Sequence, residues 1–341
     1  MLYQPSALVR SDFAAFACPQ DELDLEHTLA SGQAFRWKKD REGWWACALD
    51  VAIPGNGAGE CHSPPKSGHI IMRLWQDREQ VFYQTHPASG GFQQVREYFR
   101  LDTDLPALEA GWRRRGGQEI AQALESFSGL RVLRQDPVEC LFSFLCSPAA
   151  PIHRIRRSLD SLCRTLGVPL GEVAGVEHFA FPRVEHLAEA SVGLLNKMGL
   201  GFRSENIRGT ARELLAQGGA SWLRGLRQVP YEDAKRALMA FPGVGAKVAD
   251  CVCLFSLDKD EAVPIDVHMA RVAKRLFPSC RRYNSLTKNA YAEASDCFRQ
   301  RFGPHAGWAQ QYLYYNELVQ TGLWDEELGR HRKSGTKTFS K

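Results

Sequence analysis

The sequence predicts an α+β protein, with an N-terminal antiparallel β-sheet domain followed by an all-helical domain pair that contains a helix–hairpin–helix motif. Three observations support this fold class. Aromatic and β-branched runs bounded by Gly, Pro and charged residues lie before residue 125. Helical patterns with capping signals follow that point. A Gly/Pro hairpin joins two helical stretches between residues 231 and 257.

The expected sheet domain covers residues 1–125. Its candidate strands are four short segments, GQAFRW (32–37), GWWACAL (43–49), GHIIMRLW (68–75) and QVFYQTHP (80–87). The Pro/Gly-rich segment 51–68 lies between the second and third and predicts a long exposed loop.

The expected helical region covers residues 126–324. Asp136 can cap a helix that begins at Pro137, and Glu139 has capping-box spacing. The apolar run 139–146 that follows predicts a buried helix. Further helical patterns occupy residues 151–167, 184–199, 204–217, 231–241 and 307–320. The end of the chain, 325–341, predicts a basic flexible tail.

Bulk composition is that of an ordinary globular protein. The chain has 341 residues, with 44% hydrophobic and 24% charged. No apolar run is long enough for a membrane helix, and the N-terminus has no signal-peptide pattern. The ten cysteines include no CxxC and no zinc-like spacing. We therefore expect reduced thiols in a reducing compartment, and no metal or other cofactor.

The net charge of +4 is unevenly distributed. Arginines cluster at 113–115 and at 154–157, and the last twelve residues carry five Lys or Arg and no acid. Such clusters suit a polyanion such as DNA, although a charged stretch can equally be a solvated face.

The helix–hairpin–helix occupies residues 231–257, with the hairpin at Phe241–Gly245. Gly243 and Gly245 have no side chain, so another surface can approach their backbone closely. The second helix starts directly afterwards, and its first N–H groups are unpaired, which suits a phosphate. A tight helix–helix turn without a ligand is the alternative.

Two ionisable residues follow the hairpin. Lys247 lies on the first turn of the second helix, whose positive end favours the neutral amine needed by a nucleophile. Asp266 comes nineteen residues later, within a loop predicted at 258–269 that contains Pro264 and can return a carboxylate to the lysine. That carboxylate could stabilise a cationic sugar. From chemistry alone an ordinary salt bridge is equally open.

Six sequence blocks, in order, resemble the eukaryotic type of 8-oxoguanine DNA glycosylase, within the helix–hairpin–helix superfamily of DNA glycosylases. The blocks are ASGQAFRW, LRQDPVECLFSFLCS, MGLGFR, FPGVGAKVADCVCLFSLDK, AVPIDVHM and GPHAGWAQ, spread from about Leu25 to about Gln320. The resemblance implies a bifunctional glycosylase and AP lyase that removes 8-oxoguanine, and formamidopyrimidine, from duplex DNA. The implied partner is DNA with cytosine opposite the lesion, not a membrane. We expect a monomer, cytoplasmic and nucleoid-associated in a bacterium or nuclear in a eukaryote.

The resemblance also implies roles at the reacting sugar and base. Lys247 matches the lysine that attacks C1′ and forms a Schiff base, and Asp266 matches the aspartate that assists it. Gly32 matches the glycine whose carbonyl accepts a hydrogen bond from N7–H of the oxidised base, a proton that guanine lacks. Gln310 matches the residue that bonds to the Watson–Crick edge of the base. Cys251 and Tyr314 match the two residues that enclose the flipped base.

Further matched positions contact the DNA strands. Phe202 matches the aromatic wedge beside the flipped nucleotide, and Arg154 and Arg203 match the pair that reads the orphaned cytosine. The matched phosphate contacts are His268 and the backbones of Gly243, Gly245 and Val248.

The chain departs from the family at one functional place. The family has a run of asparagines after LFSFLCS, one of which bonds to the orphaned cytosine, but here the segment is Pro148-Ala149-Ala150-Pro151. Alanine can make no side-chain hydrogen bond, so we expect a weaker preference for cytosine opposite the lesion.

Two alternative functions remain. A glycosylase for another lesion, such as an alkylated purine, is disfavoured by Gly32 and Gln310. A lesion-binding protein with weak catalysis would explain the missing asparagines, but Lys247 and Asp266 argue against it.

Overall fold

A computed structural model describes residues 13–53, 66–87 and 91–322. Most of the loop predicted at 51–68 and the whole tail at 325–341 therefore lie outside the described residues. The predicted fold class is confirmed: a five-stranded antiparallel sheet precedes a helical region. In the described part, no helix combines the length and apolar character that a membrane span needs.

The sheet has the strand order β1-β5-β4-β3-β2. Its strands are β1 (Ala14–Ala17), β2 (Lys38–Lys39), β3 (Trp45–Ile53), β4 (Lys66–Gln76) and β5 (Gln80–His86). Alternate residues of β4, Ile70, Met72 and Leu74, are buried. They form one hydrophobic core with helices α1 (Leu25–Ala30) and α2 (Phe92–Tyr98). Three of the four predicted strands are thus confirmed.

The prediction of a strand at residues 32–37 is wrong. This segment is an irregular loop, because Gly32 has φ +81° and the Gln33 side chain bonds to backbone groups elsewhere. Helices also begin earlier than the pattern indicated. Both α2 and the long α3 (Leu105–Ser126) begin before residue 126. Gly117, with φ +74°, interrupts α3 and obscures its periodicity.

The helical region contains eleven further helices within the described residues. They are α4 (Pro137–Leu145), α5 (Ile152–Leu166), α6 (Val184–Glu189), α7 (Val192–Lys197), α8 (Arg203–Gln217), α9 (Gly219–Gly225), α10 (Tyr231–Met239), α11 (Ala246–Ser256), α12 (Val267–Leu276), α13 (Lys288–Phe302) and α14 (Ala306–Gln320). A short hairpin of β6 (Pro169–Val173) and β7 (Val176–Phe179) follows α5. Helix α4 is buried as predicted, and α10 and α11 enclose the predicted hairpin.

Helix α4 begins as the sequence predicted, with one difference. Asp136 Oδ1 accepts hydrogen bonds from the N–H groups of Val138 and Glu139, at 2.9 and 3.2 Å. The Glu139 side chain does not complete a capping box. It accepts a hydrogen bond from Arg36 at 2.6 Å instead, because both groups are buried and an arginine provides a charged partner.

Candidate active site

A cavity of about 740 Å³ lies where the loop after α1, the end of α4, the starts of α11 and α12, and α14 meet. Its size is within the range of ligand-binding pockets. It brings together most of the residues singled out from the sequence: Gly32, Gly243, Gly245, Lys247, Val248, Cys251, Asp266, His268, Gln310 and Tyr314. Three others, Arg154, Phe202 and Arg203, do not line it.

Lys247 lies half-buried on the first turn of α11. Its Nζ donates a hydrogen bond to Ser147 Oγ at 3.3 Å and lies 5.1 Å from the centre of the Phe144 ring. Its nitrogen does not come within 4.0 Å of a carboxylate oxygen of Asp266, so the two residues form no salt bridge. The amine therefore faces the cavity beside neutral groups.

Asp266 is the N-cap of α12. Its Oδ1 accepts hydrogen bonds from the N–H groups of His268 and Met269, each at 2.9 Å. In the described part of the chain no donor bonds to Oδ2, and the residue lines the cavity. The first turn of α12 thus fixes one oxygen of the carboxylate and leaves the other for a ligand.

The hairpin between α10 and α11 exposes backbone. Gly243 has φ +76°, and a Cβ there would lie 2.6 Å from the Asn206 side chain, so the turn requires glycine. At Gly245 a Cβ would meet no atom within 4 Å. The first intrahelical hydrogen bond of α11 runs from Ala249 N–H to Gly245 C=O at 3.0 Å. The three preceding N–H groups are therefore available to a phosphate, as the sequence predicted.

Two acceptors that line the cavity lack donors among the described residues. Gln310 is only 3% exposed, and nothing in the described part of the chain donates a hydrogen bond to its Oε1. The Gly32 carbonyl accepts no bond from the described residues, and a Cβ on Gly32 would lie 3.3 Å from Ile152 Cδ1. A buried acceptor without a donor costs about 1–3 kcal/mol. The Gln310 oxygen is therefore available to an N–H donor of a ligand in the cavity.

The cavity walls are of two kinds. Burial raises the pKa of the Cys251 thiol to about 12, against the opposing effect of Lys247, so the thiol stays neutral and acts as an apolar wall. The Tyr314 ring lies 6.5 Å from the His268 ring in an edge-on arrangement, and the buried His268 Nδ1 has no hydrogen-bond partner within residues 13–53, 66–87 and 91–322. A planar ligand could stack between such surfaces.

The sequence reasoning missed the residues that hold Gly32 in place. Gln33 Nε2 donates to the carbonyls of Thr28 and Arg131, at 3.1 and 2.7 Å, and its Oε1 accepts from Leu133 N–H at 2.9 Å. Gln311 Nε2 donates to the Ser31 carbonyl at 3.0 Å. The available signal was the polar Gln33 at the start of a stretch that also contains Ala34, Phe35 and Trp37.

Phe202 and its neighbours lie at the rim. Phe202 is 66% exposed, which is unusual for an aromatic ring, and the Arg203 guanidinium lies 4.5 Å from the ring centre. Arg203 donates to the carbonyls of Pro148, at 2.9 Å, and Leu200, at 3.3 Å. Burial of Arg203 is the main cause that lowers its pKa. The positive charge of the exposed Arg154 lowers that pKa further. Arg203 thus lies against an exposed ring, and the charge of Arg154 is close enough to act on it.

The cavity therefore has an amine and a carboxylate in its lining, helix N–H groups for a phosphate, and acceptors without donors between a thiol and an aromatic ring. On a helix–hairpin–helix fold, this combination defines a DNA glycosylase of the helix–hairpin–helix class.

Comparison with known proteins agrees with this class. The family model described as "8-oxoguanine DNA glycosylase, N-terminal domain" matches residues 15–141, and "HhH-GPD superfamily base excision DNA repair protein" matches residues 143–295. An N-glycosylase/DNA lyase of Arabidopsis thaliana is 32% identical, covering 87% of this chain and 78% of the relative. One of Saccharomyces cerevisiae is also 32% identical, covering 91% and 87%.

A solved 8-oxoguanine glycosylase/lyase of Clostridium acetobutylicum, bound to duplex DNA, has the same fold. Its TM-score is 0.71 at 23% identity, covering 88% of this chain and 93% of that one. The chain belongs to the 8-oxoguanine DNA glycosylase family, and it is a DNA N-glycosylase and AP lyase.

Proposed function

We propose that this enzyme flips 8-oxoguanine out of duplex DNA and excises it through a Schiff base on Lys247. The observation that carries the proposal is one cavity holding an amine, a carboxylate and two unpaired acceptors. 8-Oxoguanine carries an N7–H that the Gly32 carbonyl could accept, and its Watson–Crick edge offers N–H donors to Gln310 Oε1. A ring-opened formamidopyrimidine also has an N–H at that position, which supports it as a second substrate.

The proposed reaction balances without a cofactor. Lys247 Nζ attacks C1′ as the C1′–N9 bond breaks, and the departing base takes up a proton. The sugar ring then opens, leaving a protonated imine between Nζ and C1′. Loss of a C2′ proton expels the 3′ phosphate, and water releases the lysine. Asp266, through its unbonded Oδ2, would stabilise positive charge at the sugar while the base leaves.

The proposed partner is duplex DNA. Flipping a nucleotide out of a duplex leaves a gap and an unpaired base on the opposite strand, and the protein has residues that could contact both. The exposed Phe202 can fill the gap, and Arg154 and Arg203 can approach the orphaned cytosine. Extrusion costs a few kcal/mol, which such contacts would offset. The unpaired N–H groups at the start of α11, together with Gly243, Gly245, Val248 and His268 around them, would hold the phosphate.

The direct test is borohydride reduction with a duplex that contains one 8-oxoguanine opposite cytosine. We expect a covalent protein–DNA adduct and release of free 8-oxoguanine. Matched duplexes with guanine or 7-methylguanine should give neither, and a formamidopyrimidine duplex should give both. Binding to the 8-oxoguanine duplex without excision would favour the lesion-binding alternative, and excision of the alkylated base would favour another substrate.

Gln310→Leu is expected to lower base excision about 10-fold to 100-fold, since the loss of one or two hydrogen bonds removes about 1–3 kcal/mol. Cleavage of a preformed abasic site should not change, because no base is present to be read. The melting temperature should not fall, because the change removes a buried acceptor that has no donor.

Gln311→Leu is the matched control on the same helix. Gln311 is equally buried, but its amide bonds to Ser31, so its loss should lower the melting temperature. Equal melting temperatures for the two variants would contradict this assignment of Gln310.

Ala149→Asn tests the segment that departs from the family. Ala149 has φ +53°, a left-handed conformation that costs alanine about 1 kcal/mol and that asparagine adopts more easily. We expect a gain of up to about 1 kcal/mol in the free energy of unfolding. We also expect a sharper preference for cytosine, because the amide can bond to the orphaned base. Excision from four duplexes, each with a different base opposite the lesion, measures that preference.

Ala150→Asn is the control, since Ala150 has no positive φ. It should bring neither the gain in stability nor the sharper preference. A parent enzyme that already requires cytosine strictly would refute the expected relaxation.

A further inference from the structure

A completely buried carboxylate lies on the same helix as Lys247. Asp250, three residues further along α11, is 0% exposed. Its Oδ1 accepts a hydrogen bond from Tyr231 OH at 2.7 Å. Its Oδ2 accepts from Lys235 Nζ at 2.9 Å and from Tyr291 OH at 2.5 Å. Three donors thus offset the desolvation of this charge.

Tyr291 connects this carboxylate to the segment that ends at Asp266. While its hydroxyl donates to Asp250, the same oxygen accepts the N–H of Ile265 at 3.3 Å. Ile265 immediately precedes Asp266 and is completely buried. One turn further along α13, Ser295 donates to the Val263 carbonyl at 3.1 Å. Helix α13 therefore holds the backbone before Asp266 at two points.

We infer that Tyr291 and Asp250 are positioning residues, which tie the backbone in front of Asp266 to the helix that carries Lys247. The inference rests on the roles proposed for Lys247 and Asp266. Neither positioning residue lines the cavity, so neither would touch the nucleotide.

The connection matters because Lys247 and Asp266 do not bond to each other. Asp266 is fixed on its C-terminal side by the first turn of α12 and on its N-terminal side by the Ile265 bond to Tyr291. Its distance from Lys247 is therefore set through Asp250. A misplacement of about 1 Å at a reacting centre can lower a rate about 100-fold.

The chain offers a closely matched control. Tyr231 and Tyr291 are both buried, both donate to Asp250, and their ring centres lie 5.3 and 5.4 Å from Lys235 Nζ. Only Tyr291 also bonds to the segment before Asp266. Removing either hydroxyl takes one donor from the same carboxylate. Tyr231→Phe also removes an acceptor of Lys235, at 3.0 Å, whereas only Tyr291→Phe releases Ile265.

The experiment compares Tyr291→Phe with Tyr231→Phe in the full-length enzyme. Thermal unfolding and affinity for a duplex with a reduced abasic-site analogue control for folding and binding. Single-turnover excision of 8-oxoguanine and cleavage of a preformed abasic site report the two reaction steps. The second step needs Lys247 but does not generate the cationic sugar that Asp266 stabilises.

We expect Tyr291→Phe to slow excision about 10-fold to 100-fold, with abasic-site cleavage within about 3-fold of the parent and DNA affinity unchanged. Tyr231→Phe should change all three by less than about 3-fold. The positioning role is overturned if the two variants lose excision equally, or if Tyr291→Phe loses excision and abasic-site cleavage equally. In either case, an active parent enzyme leaves the proposed function standing. A parent enzyme that excises nothing overturns both.

Discussion

Lys247→Gln is expected to lower base excision at least about 1,000-fold, since removing the nucleophile of a covalent mechanism has effects of this order or larger. Glutamine has nearly the length of lysine but no nucleophilic amine. The substitution also removes a 3.3 Å hydrogen bond to Ser147 and the approach of Nζ to the Phe144 ring. Both interactions are weak and half-exposed, so the fold and the affinity for DNA should persist.

Single-turnover excision and borohydride reduction measure this effect, and Lys247→Arg is the control. Arginine keeps the positive charge, but its guanidinium stays protonated and does not act as a nucleophile. Both variants should lose the adduct and the excised base together. If Lys247→Arg retained most of the excision activity, the residue would act through its charge, and the Schiff base would be ruled out.

Asp266→Asn is expected to slow excision about 100-fold to 1,000-fold, which is typical when one electrostatic contact to a developing charge is removed. The effect on stability should be small, because asparagine is also a favourable N-cap and can accept from the first N–H groups of α12. Asp266→Ala should be equally slow and also less stable, by about 1 kcal/mol.

Melting temperatures and single-turnover rates of the two variants distinguish the effect of losing the negative charge from the effect of losing the N-cap. Abasic-site cleavage should fall less than excision in both, because the imine forms without a cationic sugar. An Asp266→Asn enzyme with the excision rate of the parent would show that capping, rather than charge, is the function of this residue.

Much of the fold could be predicted from local signals. The hairpin at 241–245 followed from glycines with a clear steric purpose, and α4 from its Asp-Pro start. Helices α12 and α13 were not predicted. Asp266 was interpreted only as a carboxylate, although the amphipathic residues after it indicate that it caps a helix. The sequence therefore contained a capping signal for α12. The sequence of α13 is mostly polar, and its buried face becomes evident only from the helices that pack against it.

The candidate site could likewise be predicted only in part from the sequence. The sequence placed Lys247 and Asp266 in one neighbourhood, and both line the same cavity. It could not show that they form no salt bridge, because side-chain distances depend on tertiary packing. Nor could it show that, within the described residues, Gln310 Oε1 lacks a donor while the Gln311 amide is bonded, since adjacent residues on a helix face different surroundings.

The hydrogen bonds around Gln33 bear on what happens when the N-terminal segment is exchanged between related enzymes. Gly32, whose carbonyl is the proposed acceptor for the base, comes from the N-terminal part of the chain, whereas Lys247 and Gln310 come from the helical part. Gln33 and Gln311 join these parts through buried bonds. On the proposed roles, a chimera that exchanged the N-terminal segment between relatives would also exchange part of the surface that reads the lesion. Substrate choice would then be inherited through both parts of the chain, and a change in one part would have to remain compatible with the other.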